Sequence, residues 1–369
     1  MKTYKHLYPR IWAYENLHTA WRNAARRKRR SSAVASFEYT LTDNLLQLEE
    51  ELQAQTYRPG AYTHFRITSP KPRLISAAPF RDRVVHHALV QQIEPIFEAR
   101  FISDSYACRV RKGTHAALYR CQEFARRYPY VLQCDVVQFF PAIDHAILRN
   151  ILFRIIADEQ TRCLIDQILA SGEGVLTDEY ALVYFPGDDL LAALRPRGLP
   201  IGNLTSQFWA NCYLNELDQF IKRELRCQAY LRYVDDFLLF SDSKRQLWGW
   251  RQAIIDCLTH LRLTVHERSS TVYPVTNGIP FLGFVTYPSH RLLKRRNGIA
   301  FARRFREQLR QLAAGTLDYA DLAAAVRGWL AHAAHGDTYG LRRALVTKQV
   351  VPRRASWNNR PFLRGPTTS

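Results

Sequence analysis

Two adjacent carboxylates stand inside an apolar run: Tyr233-Val234-Asp235-Asp236, with Leu231 before it and Phe237-Leu238-Leu239-Phe240 after it. Burying such a pair is costly unless donors or cations compensate the charge. The chain must therefore turn here or gather cations here. Asp favours turns, so a hairpin with both acids in solvent is one solution; a divalent-cation site is the other. The run alone favours the hairpin. A second acid changes the balance. Tyr130-Val131-Leu132-Gln133-Cys134-Asp135 is a mostly apolar strand ending on an acid, followed by Val136-Val137-Gln138-Phe139-Phe140. A strand-end acid and an acidic pair on a hairpin can converge across a sheet. Three hard oxygen donors suit two Mg²⁺ ions, which keep waters and take substrate phosphates as further ligands. Metals about 3.5–4 Å apart clamp the attacking and leaving oxygens of an in-line phosphoryl displacement. The protein's part is then positioning and charge neutralisation.

The periodicity predicts an α+β chain. Helices are expected up to about Ser36, with a basic run near the end, then over Leu41–Leu52, Val84–Phe97, Thr114–Arg127, Asp144–Ile156, Glu159–Ala170, Asn203–Leu225, Leu247–Leu261 and from Lys294 to about Leu345. Strands are expected over Tyr62–Thr68, Arg73–Ala77, Tyr130–Asp135, on both sides of Asp235-Asp236, and within Leu263–Thr286. Residues 172–198 hold Gly172, Gly174, Pro186, Gly187, Pro196 and Gly198, which predicts a loop or long hairpin. The tail from Pro352 is expected to be irregular.

Charge is unevenly spread. Residues 1–30 hold nine Lys and Arg against one acid, and residues 291–369 hold sixteen against four, while the residues between hold 27 against 28. Basic ends around a neutral body suggest a polyanionic partner, most often nucleic acid. The run Arg26-Arg27-Lys28-Arg29-Arg30 sits on no clear apolar stripe, which argues against a membrane surface. No segment approaches the ~18 apolar residues of a membrane span. Met1–Arg10 carries no apolar core, so no secretory signal is expected. Seven cysteines, an odd number without a C-x-x-C pair, argue against a disulfide framework and a structural zinc site. A reduced cytoplasmic protein is the expectation.

Taken together, the motifs resemble a reverse transcriptase. Tyr233 to Asp236 matches the Tyr-x-Asp-Asp box. Asp135 to Phe140, continuing to Ile143-Asp144-His145, resembles the preceding acid box. Lys71-Pro72-Arg73-Leu74-Ile75 and Pro79 to Val85 resemble the finger boxes, and Gly278 to Phe284 the primer-grip box. They occur in the family's order over roughly residues 57 to 290. Gly198-Leu199-Pro200-Ile201-Gly202-Asn203-Leu204-Thr205-Ser206-Gln207 departs from the common form: Ile201 replaces a Gln and Gln207 a Pro. That form, with Phe185 to Asp189 and Gly328-Trp329-Leu330-Ala331-His332, is similar to the reverse transcriptases of diversity-generating retroelements. The length left over accommodates no maturase or endonuclease appendage, which agrees with that subgroup.

The resemblance implies a right-hand polymerase: a basic extension (1–36), fingers (37–127), a palm of antiparallel sheet with packed helices (128–290, with a hairpin insertion at 172–198), and a helical thumb with a basic tail (291–369). It implies that Asp135, Asp235 and Asp236 are catalytic metal carboxylates, with the Val136 carbonyl on the nucleotide-side metal and two Mg²⁺ ions, replaceable by Mn²⁺, as cofactors. Arg73 would bind the dNTP triphosphate, with Lys71 or Arg66 as weaker candidates. Phe140 would be the steric gate against a ribose 2′-hydroxyl, where a core aromatic is the competing role. Ile201, Gly202 and Gln207 would lie along the template base and nascent pair. Phe281-Leu282-Gly283 would grip the primer. Arg26 to Arg30 and Arg303, Arg304 and Arg306 would bind RNA. Partners would be template RNA, primer and cDNA, dNTPs and an accessory variability protein, in a bacterial or phage-encoded setting without a membrane. The segment after Val265 usually supplies a Lys as proton donor to pyrophosphate; here it reads His266-Glu267-Arg268-Ser269, and that role stays open. An antiphage-defence reverse transcriptase and a non-catalytic nucleic-acid-binding protein of polymerase-like fold are the alternatives. The acid trio argues against the latter.

Overall fold

A computed structural model describes residues 2–68 and 72–347. Lys71 and the tail from Pro352 lie outside the described residues. The chain divides into two compact units: residues 1–120 with 128–273, and residues 121–127 with 274–369.

The first unit opens with three short helices where one was expected: α1 (Tyr8–Trp12), α2 (Tyr14–Ala25) and α3 (Ser32–Tyr39). The backbone leaves helical geometry at Ala13 (ψ 133°) and again at Arg26 (ψ 123°). Arg27 takes φ 64°. The basic run is thus an open turn, where five successive cations avoid stacking as like-charged neighbours along a helix face. Asp158 receives the amides of Leu7 (2.5 Å) and Tyr8 (3.0 Å), which fastens the start of α1. Next come α4 (Leu41–Gln53), β1 (Thr63–Ile67), β2 (Arg73–Ala77) and α5 (Phe80–Glu98). The face of α5 formed by Val84, Val85, Ala88, Leu89, Ile93 and Phe97 is buried, at the spacing the sequence shows.

After α6 (Thr114–Arg127) the chain enters β3 (Tyr130–Asp135), the single turn α7 (Phe139–Ala142), α8 (His145–Phe153) and α9 (Glu159–Ser171). Asp144 caps α8 through the amides of Ala146 and Ile147, and Asp158 caps α9 through Thr161. Of the loop or long hairpin expected at 172–198, the loop is what forms: the segment contains two 3₁₀ turns, Thr177–Glu179 and Leu190–Leu194, and no strand, so the hairpin insertion does not form. Side-chain ties hold it instead of a ladder. Asp188 pairs with Arg195 and Arg262 and accepts from the Phe185 amide, and Arg262 also reaches Asp144 at 2.8 Å. The Phe185 to Asp189 motif is therefore a loop lock.

Then follow α10 (Leu204–Gln219), β4 (Tyr230–Tyr233), β5 (Asp236–Ser241), α11 (Lys244–His260) and β6 (Thr271–Pro274). The helix expected to reach Leu225 widens after Gln219 into a π-turn, Phe220–Glu224, closed by Leu225 N to Phe220 O at 3.1 Å. The sheet runs β4-β5-β3-β6. The β4–β5 and β5–β3 ladders are antiparallel, with Tyr230 opposite Leu239 and Tyr233 opposite Asp236 in the first, and Tyr130 opposite Ser241 and Asp135 opposite Asp236 in the second. Val131, Leu132, Leu231, Phe237, Leu238 and Leu239 are fully buried.

The second unit holds a three-stranded antiparallel sheet, β7 (Ile279–Phe281), β8 (Phe284–Thr286) and β9 (Arg291–Leu293), and helices α12 (Arg295–Ala313), α13 (Tyr319–Ala333) and α14 (Tyr339–Thr347). Phe301, Phe305 and Leu309 form the buried stripe of α12, and Phe301 stacks on Trp329 with centroids 3.9 Å apart. The α+β class expected from the sequence is the observed one. Among the described residues no helix is long and apolar enough to cross a membrane.

The most demanding interaction is Arg232 with Asp218. Both side chains are 0% exposed and meet at 2.6 Å. Asp218 also accepts from the Tyr230 hydroxyl at 2.7 Å. Removing one partner of a buried pair leaves an uncompensated charge, typically about 3–5 kcal/mol. Asp218→Ala is expected to lower unfolding stability by that amount in urea denaturation, and Asp188→Ala, whose partners Arg195 and Arg262 stay partly exposed to water, by less. Equal midpoints for Asp218→Ala and wild type would show that Arg232 has another counter-charge.

Candidate active site

Register brings two of the three acids together. Asp135 ends β3, Asp236 begins β5, and they are direct partners across the ladder. Directly opposed residues project from the same face with Cβ atoms about 4.5–5.5 Å apart. Asp235 precedes Asp236 in the β4–β5 turn, and its carbonyl accepts from Val136 N at 3.4 Å, which ties the turn to the end of β3. All three acids are half-buried. Gln133, two residues back on β3, donates to Asp236 Oδ1 at 3.3 Å while accepting from the Tyr273 hydroxyl at 2.9 Å. The Asp135 carbonyl accepts from His266 N at 3.0 Å, so the open proton-donor segment adjoins this acid, with the His266 side chain exposed.

The turn itself is strained. Val234 takes φ 58°, an outlier for a β-branched residue. Its carbonyl accepts from the Arg232 guanidinium at 3.0 Å. Burial opposes the charge on Arg232, but Asp218 offsets it and holds the guanidinium pKa above its ordinary value. A permanently charged donor thus clamps the strained residue. Sequence reasoning missed Arg232 and Asp218, although an Arg at an inward position of the apolar run Tyr230-Leu231-Arg232-Tyr233 was a usable signal.

Residues 198–207 connect three of the motif segments. Gly198 N bonds Ile143 O at 2.8 Å, Leu199 N bonds Phe140 O at 2.9 Å, and the Ile201 carbonyl accepts from Ser76 N of β2 at 2.9 Å. Asn203 bonds Ala78 N, Ser76 O and Pro200 O through its amide. Gly202 has φ +121°, and an added Cβ would stand 3.0 Å from Ile75 Cγ2, so only glycine fits without displacement. Ile201 is half-buried; Gln207 is exposed on the first turn of α10. Phe139 is core, whereas Phe140 is half-buried, its ring 5.5 Å from that of Phe139.

Arg73 opens β2 and is exposed; Arg66 on β1 pairs with Glu179 at 2.7 Å. In the other unit, Phe281 ends β7 fully buried, and Leu282 (φ 44°) and Gly283 (φ 89°) form a two-residue turn with both φ positive, the geometry that suits a tight hairpin. Arg303, Arg304 and Arg306 are exposed on α12, away from its apolar stripe. Arg26, Arg27 and Arg29 line a cleft of about 630 Å³ with Arg22. Arg30 is exposed, and Lys28 lines a different cavity.

Metal chemistry fits this donor set. Asp135 and Asp236, opposed across the ladder, supply hard oxygens only, and Asp235 precedes Asp236 in the chain. Among the described residues no three His, Cys, Asp or Glu side chains form a cluster able to hold an ion. A Mg²⁺ ion satisfied by one or two carboxylates plus water and substrate phosphates matches that arrangement.

Residues 67–286 match the family model of the reverse transcriptase (RNA-dependent DNA polymerase). The chain is 25% identical over 292 residues to protein YkfC of Escherichia coli (strain K12), covering 68% of this chain and 71% of that one. It is 25% identical over 182 residues to the group II intron-encoded protein LtrA of Lactococcus lactis subsp. cremoris, covering 48% of this chain and 28% of LtrA. An apo telomerase structure from Candida Tropicalis, truncated from its C-terminal domain, aligns at TM-score 0.40 and 12% identity over 64% of this chain and 56% of that one. The family match spans more than half of the chain, over the segments that carry the carboxylates and the loop at 198–207: the protein belongs to the reverse transcriptase family of RNA-directed DNA polymerases.

Proposed function

We propose that the protein is the reverse transcriptase of a diversity-generating retroelement, copying a template-repeat RNA into adenine-mutagenised cDNA. The observation that carries the subgroup is the loop at 198–207, in which Ile201 and Gln207 stand where the common form has Gln and Pro. Asp135, Asp235 and Asp236 would hold two Mg²⁺ ions, with Mn²⁺ as a substitute, and the Val136 carbonyl would add a ligand. Bound there, the ions supply Lewis-acid stabilisation of the transferring phosphoryl group. The protein's own residues position. The Arg232 clamp orients the turn, and Gln133 restrains Asp236. Arg73 binds the triphosphate through its bidentate donor geometry. Phe140 packs against the deoxyribose and leaves no room for a 2′-hydroxyl. Ile201, Gly202 and Gln207 border the template base, and Phe281-Leu282-Gly283 grip the primer. In this reading residues 37–127, 128–290 and 291–369 act as fingers, palm and thumb. The cations at 26–30 and at Arg303, Arg304 and Arg306 hold RNA, and an accessory variability protein completes the particle. An intron-associated reverse transcriptase is the second reading, favoured by the match to LtrA. The flanking DNA decides: a template–variable repeat pair supports the first, intron boundaries the second.

Asp135→Asn or Asp235→Asn keeps size and removes a metal-neutralising charge. Each is expected to reduce primer extension on RNA by roughly a thousandfold or more. Near-wild-type extension by either removes that acid from the site.

Phe140→Ala is expected to raise ribonucleotide incorporation relative to deoxynucleotide while synthesis continues. Unchanged discrimination in a folded variant would return Phe140 to a packing role.

Discrimination by pocket contacts rests on differences of a few kcal/mol, so small changes of shape move error rates tenfold. Ile201 cannot make the hydrogen bond that a Gln offers near the template. Ile201→Gln and Arg73→Ala are expected to change misincorporation opposite adenine, read by sequencing cDNA from an adenine-rich template. Error spectra identical to wild type in both active variants would refute this origin of mutagenesis.

A further inference from the structure

Lys28 parts from the rest of the basic run. It lines a cavity of about 170 Å³ with Arg83, His86 and His87 of α5 and with Gly202, Asn203 and Gln207 at the start of α10. None of the lining residues is acidic. His86 is 1% exposed, and its Nδ1 has no hydrogen-bond partner among the described residues. Asn203, at the N-cap of the 16-residue α10, directs its side chain to Ser76, Ala78 and Pro200 and makes no capping bond. The first residue of α10, Leu204, also lines the cavity, so the helix begins there without a side-chain cap, at its positive end.

We infer that Lys28, Arg83, His86 and His87, with the N-terminus of α10, form a site for one phosphodiester of the template strand. Two cations, an unsatisfied buried imidazole and an uncapped helix start converge on one small space, which is the chemistry that recognises a phosphate. The groups also lack compensation in the free protein. Burial, then His87 and Arg83, push the His86 pKa down to about 3. Burial, then Lys28, lower His87 to about 4. Burial, then Arg83, lower Lys28. A seated anion would relieve every one of these repulsions. A metal-borne triphosphate is a poorer occupant, since the described lining residues offer no carboxylate to share its metals. Gly202 and Gln207 link the site to the strand that the proposed function places beside Ile201, so the inference rests on that reading.

The test is a coupling measurement on the full-length protein. RNA templates carrying a single uncharged methylphosphonate linkage, stepped along the strand, are titrated by fluorescence anisotropy against wild type, Lys28→Gln and Lys28→Arg. Wild type is expected to lose about tenfold in affinity at one linkage. Lys28→Gln should bind unmodified RNA that much more weakly, be indifferent to neutralisation of that linkage, and respond normally elsewhere. Its slope of log affinity against log salt should fall by about 0.7. Lys28→Arg should restore the wild-type pattern. Lys28 is solvent-exposed, so the substitution leaves the core untouched; Arg83, which bonds the Ala78 carbonyl, serves as a second variant, Arg83→Gln. If no linkage loses its effect in Lys28→Gln, the template site is refuted. Binding of inorganic phosphate alone, lost in Lys28→Gln but without linkage coupling, would likewise refute it in favour of a free-anion site. Primer extension by wild type on unmodified RNA, run in parallel, reports on the polymerase reading independently: its absence would overturn that reading whatever the linkage scan shows.

Discussion

The site geometry depends on a charge pair that never sees solvent. Arg232 and Asp218 lie beneath the β4–β5 turn, and Arg232 also holds the carbonyl of Val234. As a source of stability such a pair is weak, because desolvation consumes most of the Coulombic gain. As a source of geometry it is strong. The guanidinium cannot lose its proton, has several fixed donors, and places two of them on Asp218 while one reaches the turn. Val234 is thereby kept at a positive φ that its branched side chain disfavours. That turn sets the pairing of Tyr233 with Asp236, and β5 carries the same register to Asp135. A slip of one residue would send Asp236 to the opposite face, so the clamp beneath the turn decides whether the acids meet.

A second constraint fixes what stands around the acids. The loop from Gly198 to Asn203 hydrogen-bonds to Ile143 and Phe140 on one side and to Ser76 and Ala78 on the other. It acts as a strut between the segment after β3 and the strand bearing Arg73. Gly202 shows how close the approach is, since an added Cβ would stand 3.0 Å from Ile75 Cγ2 and displace it. Backbone ties of this kind move less than side-chain contacts. A change at Ile201 is therefore expected to alter pocket shape locally without releasing Arg73 or Phe140 from their places.

Much of this was legible in the sequence. The strands Tyr130–Asp135 and Tyr230–Tyr233 and the helix faces of α4 and α5 follow from apolar spacing, because those residues have one face to bury. The carboxylates were found for the opposite reason: acids inside apolar strands need an explanation. Other features depend on partners far apart in the chain and left no periodic trace. Arg232 meets Asp218 across a helix and a strand. The segment 172–198 reads as turn-rich, yet what holds it is Asp188 with Arg195 and Arg262. The N-terminal helix was overextended because periodicity does not register the break at Ala13 or the open turn of five cations. In the sequence Lys28 is one of a run of five cations, and only the fold sets it against Arg83 and the two histidines.

The charge pattern acquires a meaning once the acids are placed. Three half-buried carboxylates on a nearly neutral body repel a phosphate backbone when no metal is bound, so the centre cannot supply the affinity for its own substrate. That affinity has to come from cations elsewhere, which is where the sequence puts them: in the turn after α2, on the exposed face of α12 and beyond residue 347. Surface cations of this kind act through counterion release and fade with salt. Buried ones are screened less and fix position. A polymerase must hold a strand loosely enough to translocate and firmly enough to keep register. Exposed arginines suit the first demand, and a single phosphate site beside Gly202, built on the partly buried Arg83 and the buried His86, suits the second.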